Sequence, residues 1–390
     1  MSTPTDRQTA VTTPPNQAPK KRQTQLSAGS SGSADHANID QLLTKGSIGE
    51  DLTNIWSERD LHGHSVLHVA SFVGVNNELF DRILQSVKDQ STLKEICNLK
   101  SSDEKTALSI ACERGHLEIV KKLYDLTDSS NDLYSPIHIA AMNGHTNVVE
   151  YLVREKNVDV NSLMNIYGFT PLHLAAQYGR VEMVYYLIDE LGAKKDIACT
   201  TEGMLPIHTA ILNNNVEVLK ALVHIHSKEH EVSTVKYYER LSNDHIHINP
   251  LLLAIANSHS EEEGVTPETL KASAEMVKFL VNELDADYSL SGNNGISALH
   301  MASEVGNCDL INFFVTEKKE KVDQVCDITE DTPLYLAVIN CHLDAVKLLV
   351  SLGADINAKN RRGNSPLSIA QELSSKHEKF QNINQFLSSQ

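Results

Sequence analysis

One tryptophan, Trp56, and 5% aromatic residues mark a 390-residue chain that is also short of positive charge. Its 34 Lys and Arg stand against 51 Asp and Glu, for a formal charge of −17. That balance argues against nucleic acid as a partner, because an acidic surface repels phosphate backbones. No apolar run reaches the roughly 18 residues of a membrane-spanning helix, and no apolar core follows the N-terminal charges as in a secretory leader. The six cysteines (Cys97, Cys112, Cys199, Cys308, Cys326, Cys341) show no metal or disulfide spacing. They read as reduced thiols in a cytoplasmic protein. A phosphate-binding P-loop, a Gly-rich dinucleotide fingerprint, the kinase motif set and a Gly-x-Ser-x-Gly elbow are all missing. With them go the common nucleotide-dependent and serine-hydrolase chemistries, and no cofactor is expected.

Repetition takes the place of those motifs. Aligned on the apolar third residue of Thr170-Pro171-Leu172-His173, related blocks recur at Leu67, Leu108, Ile137, Leu172, Ile207, Leu251, Leu299, Leu334 and Leu367. The spacings are 41, 29, 35, 35, 44, 48, 35 and 33, and a period near 33 is the mark of stacked repeats. His follows the anchor at His68, His138, His173, His208 and His300, and Ala stands three residues after every anchor. Thr or Ser before Pro, as at Thr170-Pro171, is a helix N-cap followed by the favoured first-turn proline. Gly115, Gly144, Gly179 and Gly306 fall where such a helix must end with positive φ. A second amphipathic segment, such as Leu117–Leu123, follows each first one.

On these residues, and on the turn Gly353-Ala354-Asp355-Ile356-Asn357-Ala358, the chain resembles the ankyrin-repeat family over roughly residues 35–390. The resemblance implies an all-α repeat solenoid of about nine helix-turn-helix units with β-hairpin fingers and capping ends. It also implies that the repeated His is structural and that a partner binds on the concave side. Residues 1–33, rich in Ser, Thr and Pro, are expected to be a disordered tail. Residues 34–60, with Trp56, are expected to form an N-terminal helical cap, and residues 61–390 the array. The long spacings imply a lengthened loop around Asp89–Lys100 and insertions near 224–248 and 257–273, which in repeat arrays map to loops. A polar-sided helix around Phe380–Leu387 is expected to close the C-terminal end.

One string fits a catalytic pattern. His226-Ser227-Lys228-Glu229-His230 has the H-x-x-E-H spacing that puts two zinc ligands on one helix face, with Glu229 as general base. The bland reading is adjacency by chance in a chain with 18 histidines. No metal site is therefore expected, and the zinc-dependent hydrolase stays an alternative.

The positions the repeat leaves free point to binding. Just before the Thr/Ser-Pro pairs of units three and four, and before the equivalent Leu205-Pro206 of unit five, stand Tyr134, Phe169 and Met204, with Tyr167 on the same finger as Phe169. Before the closing turns of the same units stand Met142, Gln177 with Tyr178, and Leu212 with Asn213. Aromatic and Met residues on an exposed strip have the composition of binding hot spots. The alternative is that these side chains fold back onto neighbouring fingers. The expected function is a non-enzymatic, monomeric scaffold or adaptor for one or more protein partners, basic ones being favoured by the acidic charge. A second reading is an effector secreted by an intracellular bacterium that uses the same repeats on host proteins.

Overall fold

The computed structural model describes residues 59–130, 132, 134–164, 166–200, 203–229, 250–257, 266–288 and 295–390, without the side chains of 224–229. The expected tail, Trp56 with nearly all of the expected cap, and most of the insertion at 224–248 lie outside those residues. The described residues hold nineteen helices and no strand. They fall into two compact units divided after Ala107.

The first unit holds α1 (Val66–Val73), α2 (Asn77–Gln85) and α3 (Gln90–Cys97). Asn76 caps α2 by accepting the Leu79 N–H at 2.8 Å, and Asp89 caps α3 by accepting that of Thr92 at 2.8 Å. The 41-residue spacing is thus not a lengthened loop, as expected from the sequence, but room for an added helix. Leu93, Ile96 and Cys97 of α3 are buried, so the extra segment has an apolar face to hide and helix is the way to hide it.

The second unit is a series of helix pairs: α4 (Ala107–Arg114) and α5 (Leu117–Leu123), α6 (Pro136–Asn143) and α7 (Thr146–Arg154), α8 (Pro171–Gln177) and α9 (Val181–Tyr185), α10 (Pro206–Leu212) and α11 (Val216–Glu229), and α12 (Pro250–Ala256) and α13 (Pro267–Glu283). It continues with α14 (Ala298–Glu304) and α15 (Cys308–Asn312), α16 (Pro333–Ile339) and α17 (Leu343–Ser351), and α18 (Pro366–Lys376) and α19 (Gln381–Ser388). First helices pack on first helices, α6 on α8 and α8 on α10, and second helices on second, α9 on α11 and α15 on α17. The repeated alanines make this approach possible. Ala140, Ala175, Ala210, Ala302 and Ala337 are all fully buried, beside Leu152, Leu172, Leu187 and Phe314. A larger side chain at those alanines would push neighbouring helices apart.

The 48-residue spacing also resolves differently from expectation. Residues 266–273 are not loop: Thr266 caps α13, accepting the Thr269 N–H at 3.2 Å, and Ser273 Oγ donates to the Ala254 carbonyl at 2.7 Å. The insertion lengthens a second helix to 17 residues. At the C-terminal end α19 buries Ile383 and Leu387, as its amphipathic pattern predicts.

The expected β-hairpin fingers are tight turns. One is closed by Met164 N to Phe169 O at 2.9 Å, and the next by Cys199 N to Met204 O at 2.8 Å. A single bond, Thr200 N to Tyr167 O at 3.1 Å, joins these two fingers. Too few successive rungs form for a strand ladder.

Candidate protein-interaction surface

Two rows of side-chain bonds join neighbouring units through much of the stack, and they decide which residues remain for a partner. In the first row, His173 Nδ1 accepts the Thr170 backbone N–H at 3.1 Å and lies 2.8 Å from the Thr170 hydroxyl. The accepting Nδ1 leaves the proton on Nε2, which donates to the Met204 carbonyl at 2.9 Å. His138 donates likewise to the carbonyls of Ser162 and Phe169, both at 3.0 Å, and His300 to that of Asp331 at 3.1 Å. Within the first unit His68 does the same to Lys105 at 2.9 Å. His208 Nδ1 accepts from Leu205 N at 2.9 Å, while its Nε2 has no partner among the described residues. Burial, which disfavours the charged imidazolium, pulls His68, His138, His173 and His208 down to about 4. The repeated His is structural, as the sequence implied.

The second row was not read from the sequence. In four units the residue after the first-helix turn reaches back to the end of the preceding first helix, whereas Asn307 Nδ2 donates to the Leu270 carbonyl of α13 at 3.0 Å. His145 Nε2 donates to Glu113 O at 2.8 Å, Arg180 Nε to Met142 O at 2.9 Å, and His342 Nε2 to Glu304 O at 2.9 Å. Asn215 Nδ2 donates to the carbonyls of Ala176 and Gln177 at 2.8 and 2.9 Å. These carbonyls are orphans of a helix C-terminus, so each bond satisfies a group the helix cannot. The signal in the sequence was a long polar side chain after each turn (His145, Arg180, Asn215, Asn307, His342). Gly115 shows the packing cost of the row. Its φ is +75°, and a Cβ there would run into the His145 ring.

The expected ladder of exposed finger residues is corrected by this arrangement. Phe169 is 3% exposed and Met204 5%. Their carbonyls are the acceptors of His138 and His173, so both residues sit within the joints between units. The Phe169 ring stacks on His173 with centroids 5.3 Å apart and planes 8° from parallel. Gln177 is also buried, at 7%. Tyr134, Met142, Tyr167, Tyr178 and Leu212 are half-buried and Asn213 is exposed. Tyr167 lies against Phe169, with centroids 5.9 Å apart. Burial raises the Tyr134 phenol, helped by its neighbours Tyr178 and Tyr167. Burial also raises Tyr178, against the pull of the Arg180 charge. Tyr134 of one unit therefore feels Tyr167 and Tyr178 of the next, and of the three it is Tyr167 that stands against the buried Phe169.

Among the described residues no group of three or more His, Cys, Asp or Glu is placed to hold a metal, and no helix is long and apolar enough to cross a membrane. The H-x-x-E-H string falls outside what is described. The helix backbone runs through Glu229, but the side chains of 226–229 and all of His230 are not covered.

Helix pairs at a repeat near 33 residues, buried His residues joining several of them and Ala-lined first helices define a repeat solenoid built for protein interaction. The family described as "Ankyrin repeats (3 copies)" matches residues 67–164, 158–235 and 268–360, and the chain belongs to it. Over 80 residues it is 35% identical to alpha-latrocrustotoxin-Lt1a of Latrodectus tredecimguttatus, covering 20% of this chain and 6% of that protein. Over 63 residues it is 46% identical to ankyrin repeat domain-containing protein 63 of Mus musculus, covering 15% of this chain and 16% of that one. The chain thus spans only a small part of either relative's length. Among solved structures, the human ASB11 ankyrin repeat domain aligns with a TM-score of 0.47 at 20% identity, over 63% of this chain and 96% of that one.

Proposed function

We propose that this chain is a non-enzymatic, monomeric scaffold of the cytoplasm that holds a protein partner on the first-helix ends and fingers of units three to five. The observation that carries the reading is the tyrosine cluster. Tyr134, Tyr167 and Tyr178 remain half-exposed on a base that the two bond rows make rigid, with Met142, Leu212 and Asn213 beside them. Rigid aromatic groups with a polar tip bind at low entropic cost and dominate interface energetics. Phe169, Met204 and Gln177 belong to the support of the surface rather than to the contact itself.

The test is a paired substitution, Tyr134→Ala with Tyr178→Ala, in the full chain. Loss of one such anchor costs about 2 kcal/mol of binding, so partner recovery in quantitative affinity capture should fall at least tenfold while the circular dichroism stays native. Unchanged recovery with a native spectrum removes this surface as the binding site.

A further inference from the structure

The proposed surface has a chemical character that its charge-rich chain does not foreshadow. The last two residues before the first-helix turns are Met142-Asn143, Gln177-Tyr178 and Leu212-Asn213, with no formal charge among them. Asn143 Nδ2 donates to the carbonyl four residues back, Ile139, at 2.9 Å, and Asn213 Nδ2 to that of Thr209 at 2.9 Å. Asn340 repeats the bond in unit eight, to Leu336 at 3.0 Å. Because the acceptor is a carbonyl, the amide nitrogen must face it, which leaves the Oδ1 of Asn143 and Asn213 directed away as an acceptor. At the unit-two end the equivalent positions are Glu113 and Arg114, one charge of each sign, and beside Tyr178 the bordering charge is positive. Arg180 donates to Met142 O within the strip and bears electrostatically on Tyr178.

We propose that the segment seated here is an extended, uncharged stretch of the partner, whose backbone N–H groups and neutral side-chain donors pair with Asn143 and Asn213 Oδ1 while its apolar side chains lie against the tyrosines. This rests on the binding surface assigned above. A Lys- or Arg-rich segment would have to leave water for a half-buried strip that offers no carboxylate and stands beside Arg180. The net charge of −17 acts on encounter, over distances set by the salt, and not within the seat. Neighbouring first helices lie roughly 8–10 Å apart, so Asn143 and Asn213, two units apart, are about 16–20 Å from one another. About five or six extended residues cover that span at ~3.3 Å each.

The probe is a displayed library of random dodecapeptides selected against the immobilised full chain. The selected peptides are then synthesised and titrated by fluorescence anisotropy at low and high salt. The proposal expects enriched peptides without Lys or Arg in their common window. Their affinity should change less than about threefold between 50 and 500 mM NaCl, since no counterions are released. It should fall at least tenfold in an Asn143→Ala, Asn213→Ala variant whose circular dichroism is native. Enrichment of basic or acidic peptides, no enrichment, a steep salt dependence, or an Asn variant that binds as well as the parent each overturns it. If Tyr134→Ala with Tyr178→Ala abolishes binding and the Asn variant does not, the surface stands and the neutral-segment assignment falls. If neither pair matters, both fall.

Discussion

His173 carries three duties in one ring: it accepts from its own helix cap, donates to the next unit and stacks under Phe169. The first needs the neutral form, since a protonated Nδ1 cannot accept, and burial disfavours the charged ring. The unfolded chain takes up protons near the ordinary value of 6.5, whereas the folded one holds His68, His138, His173 and His208 neutral down to about 4. Their contribution is therefore complete above pH 6.5 and is lost as the pH falls toward 4. A gap of roughly 2.5 units corresponds to about 3 kcal/mol for one histidine at full protonation. Urea unfolding should show stability dropping steeply between pH 6.5 and 4.5, and His173→Gln should flatten that slope while lowering stability at pH 7. A second residue-scale outcome concerns Asn214, which stands in the turn where other units have Gly. Its φ is +52° and its Oδ1 is buried without a partner among the described residues. Asn214→Gly relieves both and should stabilise the fold by about 1 kcal/mol in urea titration.

Elements meet through the turn after each first helix. Gly115 and His145 come from different helix pairs, yet neither is tolerable without the other's shape. Gly115→Ala adds a Cβ at positive φ and in the path of the imidazole, and should cost about 2 kcal/mol or more. His145→Ala clears that path but leaves the Glu113 carbonyl without its 2.8 Å bond, at a cost of about 1 kcal/mol. A double-mutant cycle should find the glycine substitution cheaper in the His145→Ala background, and equal costs in both backgrounds would show that the ring does not press on this turn. Element boundaries were only partly legible in the sequence. Thr170-Pro171 and the turn glycines marked starts and stops, because capping is local chemistry. The long spacings imply loop at Gln90–Cys97 and at 267–273, yet both are helical, and Asp89 and Thr266-Pro267 are good helix starts. A spacing longer than the repeat says that residues are added, but not that they fold.

For the chain as a whole the charge of −17 is a destabilising self-repulsion that salt screens. The melting temperature should therefore rise by several degrees between 10 and 300 mM NaCl at pH 7.5. A fall in differential scanning calorimetry would mean that specific ion pairs outweigh the net charge. The described pairs are mostly exposed, such as Arg154–Glu150 at 2.6 Å and Arg361–Glu330 at 3.1 Å, and exposed pairs contribute little.

The sequence by itself determined the repeat class, the paired first and second helices of the repeat and their caps. These follow from short-range patterns that every unit restates. Only the tertiary structure decided which free positions face a partner. Phe169 and Tyr178 look equally available along the chain. One is drawn into a joint because its carbonyl must meet His138 one unit away, and the other stays half-exposed beside Arg180. The His145, Arg180 and Asn215 row was hidden for the same reason, since its acceptors lie 32 to 39 residues upstream and become neighbours only when the units stack.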